Sequence, residues 1–292
     1  MFLIHFQKSS VSQIQYCQIF LTYYKLIMSE KFDNILNECF FVLESMENKK
    51  FEIGQKTLQT DTQIVVISFF RFKGIFQKLW AFGQMGFARK KLKNIKEISF
   101  YKLFGSGTGE GFTPYPNTSV YAILSVWNDI NIAEKNIREK EIYKKYRAKS
   151  VENWNVFLSP ISSKGYWDKI NPFDPLKKET ISEEKMLAAL TRATIKPKIM
   201  LKFWSRVPAI SKVIGNDKNV LFKMGLGEIP WFHQVTFSIW PNAESMSNFA
   251  RKDGPHAKAI KSVREGNWFS EELYARFKVE KAIGKWCGKS VI

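Results

Sequence analysis

The hydrophobic pattern runs through one order of elements and then through the same order again. From Gln63, the run Ile64-Val65-Val66-Ile67-Ser68-Phe69-Phe70-Arg71-Phe72 is β-branched and aromatic, which predicts a buried strand. Within Ile75 to Leu92, Phe76, Leu79, Phe82 or Gly83, and Gly86 recur at three- and four-residue spacing, which predicts a helix with these residues on one face, closely packed at the glycines. A glycine-rich loop from Gly105, a strand from Ser119 to Trp127, a charged helix from Asn131 to Lys149 and a strand from Val151 to Ile161 complete the series. Lys164 to Lys185, with Pro172, Pro175 and mixed charges, reads as a linker. The order then restarts. Leu187 to Ile195 is a strand, Pro197 to Val213 a helix, Val220 to Trp240 two strands around a Gly-Leu-Gly-Glu loop, Asn242 to Glu265 helical, and Leu273 to Val279 a final alternating strand.

The repetition is legible residue by residue. GSGTGEGFTPYPNTSVYAILSVW, from Gly105 to Trp127, returns shortened as GLGEIPWFHQVTFSIW, from Gly225 to Trp240, with Trp127, Val126 and Ser125 falling on Trp240, Ile239 and Ser238. Strand, helix, two strands, helix, strand is the ferredoxin-like βαββαβ arrangement. The expected fold is therefore α+β, two tandem ferredoxin-like repeats whose sheets face each other as a pseudo-dimeric α/β barrel. Residues 1–60 are read as an N-terminal extension, 61–180 as the first unit with its linker, and 181–292 as the second unit.

Charge is distributed unevenly over these parts. The 292-residue chain carries a formal net charge of +18, yet residues 1–60 hold six lysines and six acidic groups, so the whole excess belongs to the repeated region. Such a field favours polyanions, either nucleic acid or an anionic membrane face. The apolar runs are strand-length, far short of the roughly 20 residues of a spanning helix. The N-terminus has no basic start, long apolar centre and small-residue cleavage site, so a cytoplasmic protein is expected. Cys17, Cys39 and Cys287 are scattered without Cys-x-x-Cys spacing, which predicts neither a disulfide framework nor a zinc site.

The glycines do not form a phosphate cradle. Three places beyond Gly105-x-Gly107 stands Glu110, and beyond Gly107-x-Gly109 stands Phe112, where the dinucleotide fingerprint needs glycine. Their expected role is a tight connection with positive φ. No nucleophile elbow or His-Glu-x-x-His helix is present. Four residues stand out. His256 follows Asp253-Gly254-Pro255 at a helix start and is either a capping or surface residue or a ligand to haem iron, for which one histidine suffices. His233, in phase with Val235, Phe237 and Ile239, is either a core histidine or a pocket-lining group. Arg71 and Arg192 each place a cation in an apolar strand, and burial demands an anion, either a protein carboxylate or a haem propionate.

Taken together, these residues resemble the bacterial spheroidene monooxygenases, the acyclic-carotenoid 2-ketolases. The likeness spans roughly residues 63 to 288. It rests on Leu79-Trp80-Ala81-Phe82, the Gly105 to Pro114 loop, Leu190-Thr191-Arg192-Ala193-Thr194, Phe203-Trp204, His233 to Trp240, Asp253-Gly254-Pro255-His256-Ala257 and Glu272 to Phe277. It implies oxygen-dependent oxidation of an end carbon of a linear carotenoid to a ketone by two hydroxylations and loss of water. Molecular oxygen, reduced ferredoxin and haem are the implied co-reactants and cofactor. His256 is the implied iron ligand, Arg71 and Arg192 cofactor contacts, and Arg192 with His233 the catalytic pair, while Cys287 is a weaker alternative ligand. The implied location is cytoplasmic and peripheral to an anionic membrane, without specific nucleic-acid binding. Two rival classes are a haem peroxidase or haem carrier of the same architecture, and a cofactor-free basic binding module.

Overall fold

The structure, a computed structural model, describes residues 63–175, 185–205, 219–251 and 266–292. All of these belong to one compact unit, Thr60–Ile292. The elements are β1 (Ile64–Arg71), α1 (Ile75–Lys93), β2 (Ile98–Gly107), β3 (Pro116–Trp127), α2 (Ile130–Glu139), α3 (Glu141–Lys149), β4 (Glu152–Gly165), β5 (Leu187–Ile195), a 3-10 turn (Pro197–Ile199), β6 (Phe222–Ile229), β7 (His233–Trp240), α4 (Ala243–Arg251) and β8 (Phe269–Gly284).

Eight antiparallel strands close a barrel in the order β1-β3-β2-β6-β7-β5-β8-β4. Both chain halves therefore arrange their strands alike, β4-β1-β3-β2 in one and β8-β5-β7-β6 in the other. Two seams join them. The β4–β8 seam is long, running from Trp154 opposite Gly284 to Gly165 opposite Leu273. The β2–β6 seam consists of Gly105 opposite Gly227 and Ser106 opposite Leu226. This short seam is reinforced by the glycine loop, where Gly225 N–H donates to Glu110 O at 2.8 Å. A Cβ on Gly111 would lie 2.0 Å from Gly225 O, and Gly111 itself has φ +90°. The expected positive φ is present, and the close approach the loop makes is to the other half's backbone.

Alternation sorts the strand residues into two cores. Val65, Ile67 and Phe69 of β1, Ala188 and Leu190 of β5, and Val235, Phe237 and Ile239 of β7 fill the lumen. Phe69 stands among Trp154, Phe222, Phe237 and Trp286, with ring centroids 5.3–6.0 Å apart. The barrel interior is thus packed with side chains, as expected for eight strands. On the outside, α1, α2 and α3 cover Ile64, Val66, Phe70 and Trp127, while Met246 of α4 packs with Leu187 and Trp240.

Several elements depart from expectation. The helix read over Asn131 to Lys149 is two helices broken at Lys140, which has extended ψ 136°. Its buried positions step from Ala133 and Ile137 to Ile142, Tyr143 and Tyr146, a jump that a straight helix would rotate off the sheet. The start of the supposed linker is structural: Trp167 and Phe173 are buried, and Phe173 meets Phe277 edge-on at 5.1 Å. The C-terminal tail folds back as a turn, and β8 is sixteen residues long. On α1 the expected apolar stripe faces away from the barrel, which receives Ala81, Gln84, Ala88 and Leu92 instead. Gly86 has open space beyond it. The second helix of the second half is described only over Ala243–Arg251, and the remainder to Glu265 lies outside the described residues, as do residues 206–213 of the predicted helix from Pro197.

The Ser-x-Trp echo forms the same bond in both halves. Trp127 Nε1 donates to Ser125 Oγ at 2.8 Å and Trp240 Nε1 to Ser238 Oγ at 3.0 Å. Ser125 also accepts from Tyr143 Oη at 3.2 Å. Ser125→Ala leaves two buried donors unpaired and is expected to cost about 2–4 kcal/mol, whereas Ser238→Ala leaves one and costs about 1–2 kcal/mol. Urea unfolding of the two variants checks this ranking; equal losses would contradict the shared-acceptor account.

Candidate functional site

One mouth of the barrel holds a continuous polar network. Neighbouring strands alternate in direction, so the C-terminal ends of β5 and β6, the N-terminal ends of β7 and β8, and the turn after β4 meet there. Arg192 on β5 is in phase with the lumen residues Ala188 and Leu190, and its side chain is 1% exposed. Its guanidinium pairs with Glu271 of β8 and lies 4.0 Å from Asp168. Asp168 in turn meets Lys102 of β2, which also pairs with Glu228 of β6. The chain of contacts ends at His233 of β7, whose Nδ1 is 3.7 Å from Glu228 Oε2. Beneath it lies the Trp167 ring, 5.7 Å from the Arg192 guanidinium and 5.8 Å from Lys102 Nζ.

Glu228 is the hub. Its side chain is 7% exposed and accepts from Trp167 Nε1 at 3.1 Å as well as from Lys102. Burial alone would raise its carboxyl, but the imidazole of His233, the Lys102 ammonium and the Trp167 N–H together outweigh it and hold the group down at about 2. Glu271 is likewise lowered: burial works against it, while the Lys169 N–H, the Arg192 charge and the Asp168 N–H prevail. Both carboxylates are therefore ionised at neutral pH. His233 Nδ1 is buried with no hydrogen-bond partner, so the network ends in an imidazole nitrogen with unused capacity.

Arg71 lies at the opposite mouth in a near-copy of the Arg192 setting. Its Nε donates to Glu152 at 2.7 Å and its guanidinium stacks 4.5 Å from the Trp286 ring. Glu152 accepts N–H bonds from Cys287 at 3.2 Å and Gly288 at 2.7 Å. Glu271 accepts them from Asp168 at 3.1 Å and Lys169 at 2.7 Å. The two arginines are not at equivalent register. Arg71 opposes Glu152 directly, whereas Thr194 opposes Glu271 and Arg192 sits two residues deeper. Arg71 is accordingly 33% exposed at the rim.

The structure thus joins Arg192 and His233 in one network and separates Arg71 from them. The sequence reading passed over Lys102, Glu228, Asp168 and Glu271. The available signal was phase: Lys102 lies between Phe100 and Phe104, and Glu228 two residues beyond Leu226, all at lumen-facing positions. His256 lies outside the described residues. Among the described residues no group of three or more His, Cys, Asp and Glu side chains can hold a metal. Both arginines expected to contact a haem propionate already hold protein carboxylates, so the described residues do not by themselves make a haem site. No described helix is long and apolar enough to cross a membrane. Beside the network, an open groove of about 890 Å³ is lined by Tyr166, Lys169, Trp268, Phe269 and Glu271.

The acid behaviour of Glu228 is testable. Its folded value lies below the usual 4.5, so its stabilisation is complete above about pH 5 and disappears as pH falls towards 2. At 1.36 kcal/mol per unit this amounts to about 3 kcal/mol. The stability difference between wild type and Glu228→Gln, measured by urea unfolding, is expected to shrink from that size at pH 7 to near zero at pH 2. A constant difference would remove the Glu228 charge from the account.

Comparison with known proteins completes the picture. No family model matches the chain. Spheroidene monooxygenase of Cereibacter sphaeroides is 48% identical over 231 residues, 79% of this chain and 71% of that protein. Spheroidene monooxygenase of Rhodobacter capsulatus is 46% identical over 226 residues, 77% of this chain and 94% of that protein. Among solved structures, an aldoxime dehydratase matches 81% of this chain and 91% of its own with a TM-score of 0.53 at 8% identity. Another, solved with butyraldoxime, matches 76% and 81% with a TM-score of 0.51 at 9% identity. These two share the fold. With nearly half of the aligned residues identical over most of both partners, the chain belongs to the spheroidene monooxygenase family.

Proposed function

We propose that this protein is an oxygen-dependent carotenoid monooxygenase that oxidises the terminal region, at C-2, of a linear carotenoid such as spheroidene to a ketone. The observation that carries this reading is the 46–48% identity to two proteins named spheroidene monooxygenase. Two hydroxylations at one carbon give a geminal diol, which loses water to leave the ketone. Each hydroxylation places one atom of molecular oxygen in the substrate and the other in water, and consumes two electrons, assigned to reduced ferredoxin, with two protons. Haem, with His256 as its ligand, is the proposed cofactor and when bound supplies the oxygen activation. The corresponding helical segment of the first half, Asn131 to Lys149, has no histidine, which argues for one haem per chain.

The chain's own contribution lies at the polar mouth. Lys102 and Arg192 pair with Glu228 and Glu271, which are ionised at neutral pH, and Glu228 faces the His233 imidazole. His233 Nδ1, beside an ionised carboxylate and otherwise unpaired, is a suitable place to hold a proton taken up or released during hydroxylation and dehydration. Arg192 is a positioning residue in this scheme. Since rings fill the lumen, the polyene is assigned to the outside of the barrel, with the groove at Tyr166 and Trp268 as its nearest apolar wall.

We read the barrel itself as one βαββαβ unit duplicated, 61–180 and 181–292, with 1–60 as an extension that lies outside the described residues. The common strand order, the Ser–Trp bond and the Gly-x-Trp turns at Gly165-Tyr166-Trp167 and Gly284-Lys285-Trp286 support this reading.

The protein purified from haem-replete cells is expected to show a Soret band that is lost or shifted in His256→Ala. His233→Gln is expected to keep the band and lose about 10²-fold or more in turnover of a linear carotenoid with ferredoxin. Absence of a band after haem reconstitution would refute the haem assignment. Turnover with peroxide alone would favour a peroxidase, and salt-sensitive binding to DNA without absorbance a binding module.

A further inference from the structure

The outer surface of α1 is built against the usual rule for a surface helix. Such a helix turns its apolar stripe to the core, but α1 gives the barrel Ala81, Gln84, Ala88 and Leu92 and turns Ile75, Phe76, Leu79, Phe82 and Phe87 outwards. These five side chains are 50–81% exposed. At 100° per residue the two sets lie on opposite sides of the helix. Ala81 and Ala88 face the sheet, with Trp80 and Met85 packed at its flanks. A contiguous apolar face of this kind on a soluble barrel marks an interaction surface.

Charge identifies the partner. α1 contains no acidic residue, and Lys78, Arg89, Lys90, Lys91 and Lys93 run along it, with Lys73 and Lys96 just beyond its ends. Aromatic and aliphatic side chains on one face of a helix with lysines beside them are the pattern of a helix lying in a membrane interface, rings at the acyl boundary and cations at the phosphates. A second copy of the chain is a poorer match, because a two-fold contact would set two cationic rims against each other. We propose that the outward face of α1 docks this protein on an anionic phospholipid bilayer. The proposal deepens the reading of the protein as an enzyme of a lipid-dissolved polyene and rests on that reading for its purpose; the residues are argued from the surface alone.

The test is co-sedimentation of the full-length protein with phosphatidylcholine vesicles with and without phosphatidylglycerol, at low and high salt. Wild type is expected to bind the anionic vesicles and to be released by salt. The triple variant Phe76→Ser, Leu79→Ser, Phe82→Ser should bind at least about tenfold less with an unchanged circular dichroism spectrum and melting temperature, since apolar insertion supplies a major share of such binding. Lys90→Glu with Lys91→Glu should weaken binding to anionic vesicles specifically. A folded triple variant that binds like wild type overturns the assignment to α1, and a wild type that binds neither vesicle overturns membrane docking altogether. A variant that turns a dimer into a monomer while still binding vesicles reassigns the face to self-association. Oxidation of detergent-dispersed carotenoid by the triple variant at the wild-type rate leaves the enzymatic reading standing in every case.

Discussion

Two half-buried carboxylates, Glu152 and Glu271, tie the halves of this barrel together. Glu152 opens β4 and receives two backbone N–H bonds from the turn at Cys287 and Gly288, which ends the other half. Glu271, near the start of β8, receives two from the turn at Asp168 and Lys169, which ends the first half. Each clasp sits at one end of the long β4–β8 seam, and each is charged by an arginine of its own half. Charge-assisted bonds to backbone N–H groups are among the stronger polar contacts available. They need the left-handed backbone found at Asp168, Lys169, Cys287 and Gly288. The clasps also place Trp167 and Trp286 over the two mouths, and with them the closure of the lumen.

The same clasp, built from arginines two residues apart in register, makes the two mouths chemically unequal. At the Arg71 end the cation stays at the rim, and the strand position equivalent to Arg192 is Phe69, so the lumen there is lined by aromatic and aliphatic side chains. At the other end Arg192 reaches into the lumen. A buried guanidinium then demands more than one anion nearby, and Asp168 beside Glu271 brings in Lys102, which requires Glu228, which faces His233. One displaced cation propagates into a network of alternating charge. Removing Lys102 leaves the buried Glu228 without its cation, and removing Glu271 leaves the buried Arg192 without its nearest anion.

What the sequence revealed and what it concealed follow from which residues obey periodicity. The strands, their order and the Ser-x-Trp echo were legible because apolar alternation and an unusual tripeptide survive in both halves. The Gly-x-Trp echo was equally present at Gly165 and Gly284. It passed unnoticed because it lies after the last strand of each half, in segments read as a linker and a tail. Glu228 and Lys102 were hidden by their charge, since a lysine or glutamate on a strand is ordinarily a solvent-facing residue, and only their phase with Leu226 and Phe104 betrays the lumen. α1 was misread for the converse reason. With apolar residues around most of its circumference, spacing alone cannot say which face the barrel receives, and the small residues that decide it carry little hydrophobic signal. His256, the residue on which the haem reading rests, lies outside the described part of the chain.

A filled lumen constrains where any chemistry can be done. Phe69, Trp154, Phe222 and Phe237 interlock at the centre, and burial of this many rings is too favourable to give way to a long rigid polyene. Among the described residues, space for a bound molecule is therefore left at the mouths and on the outward faces of the sheet, not in the lumen. In the first half that outward face is closed by α1, α2 and α3 over a continuous apolar layer. The half that carries the displaced arginine also supplies Glu228, His233 and Glu271, three of the five side chains that join Arg192 in the network around Trp167. The halves of a barrel with one strand order thus differ in kind, the first a packed wall whose outer helix carries exposed apolar side chains, the second the side on which polar groups converge.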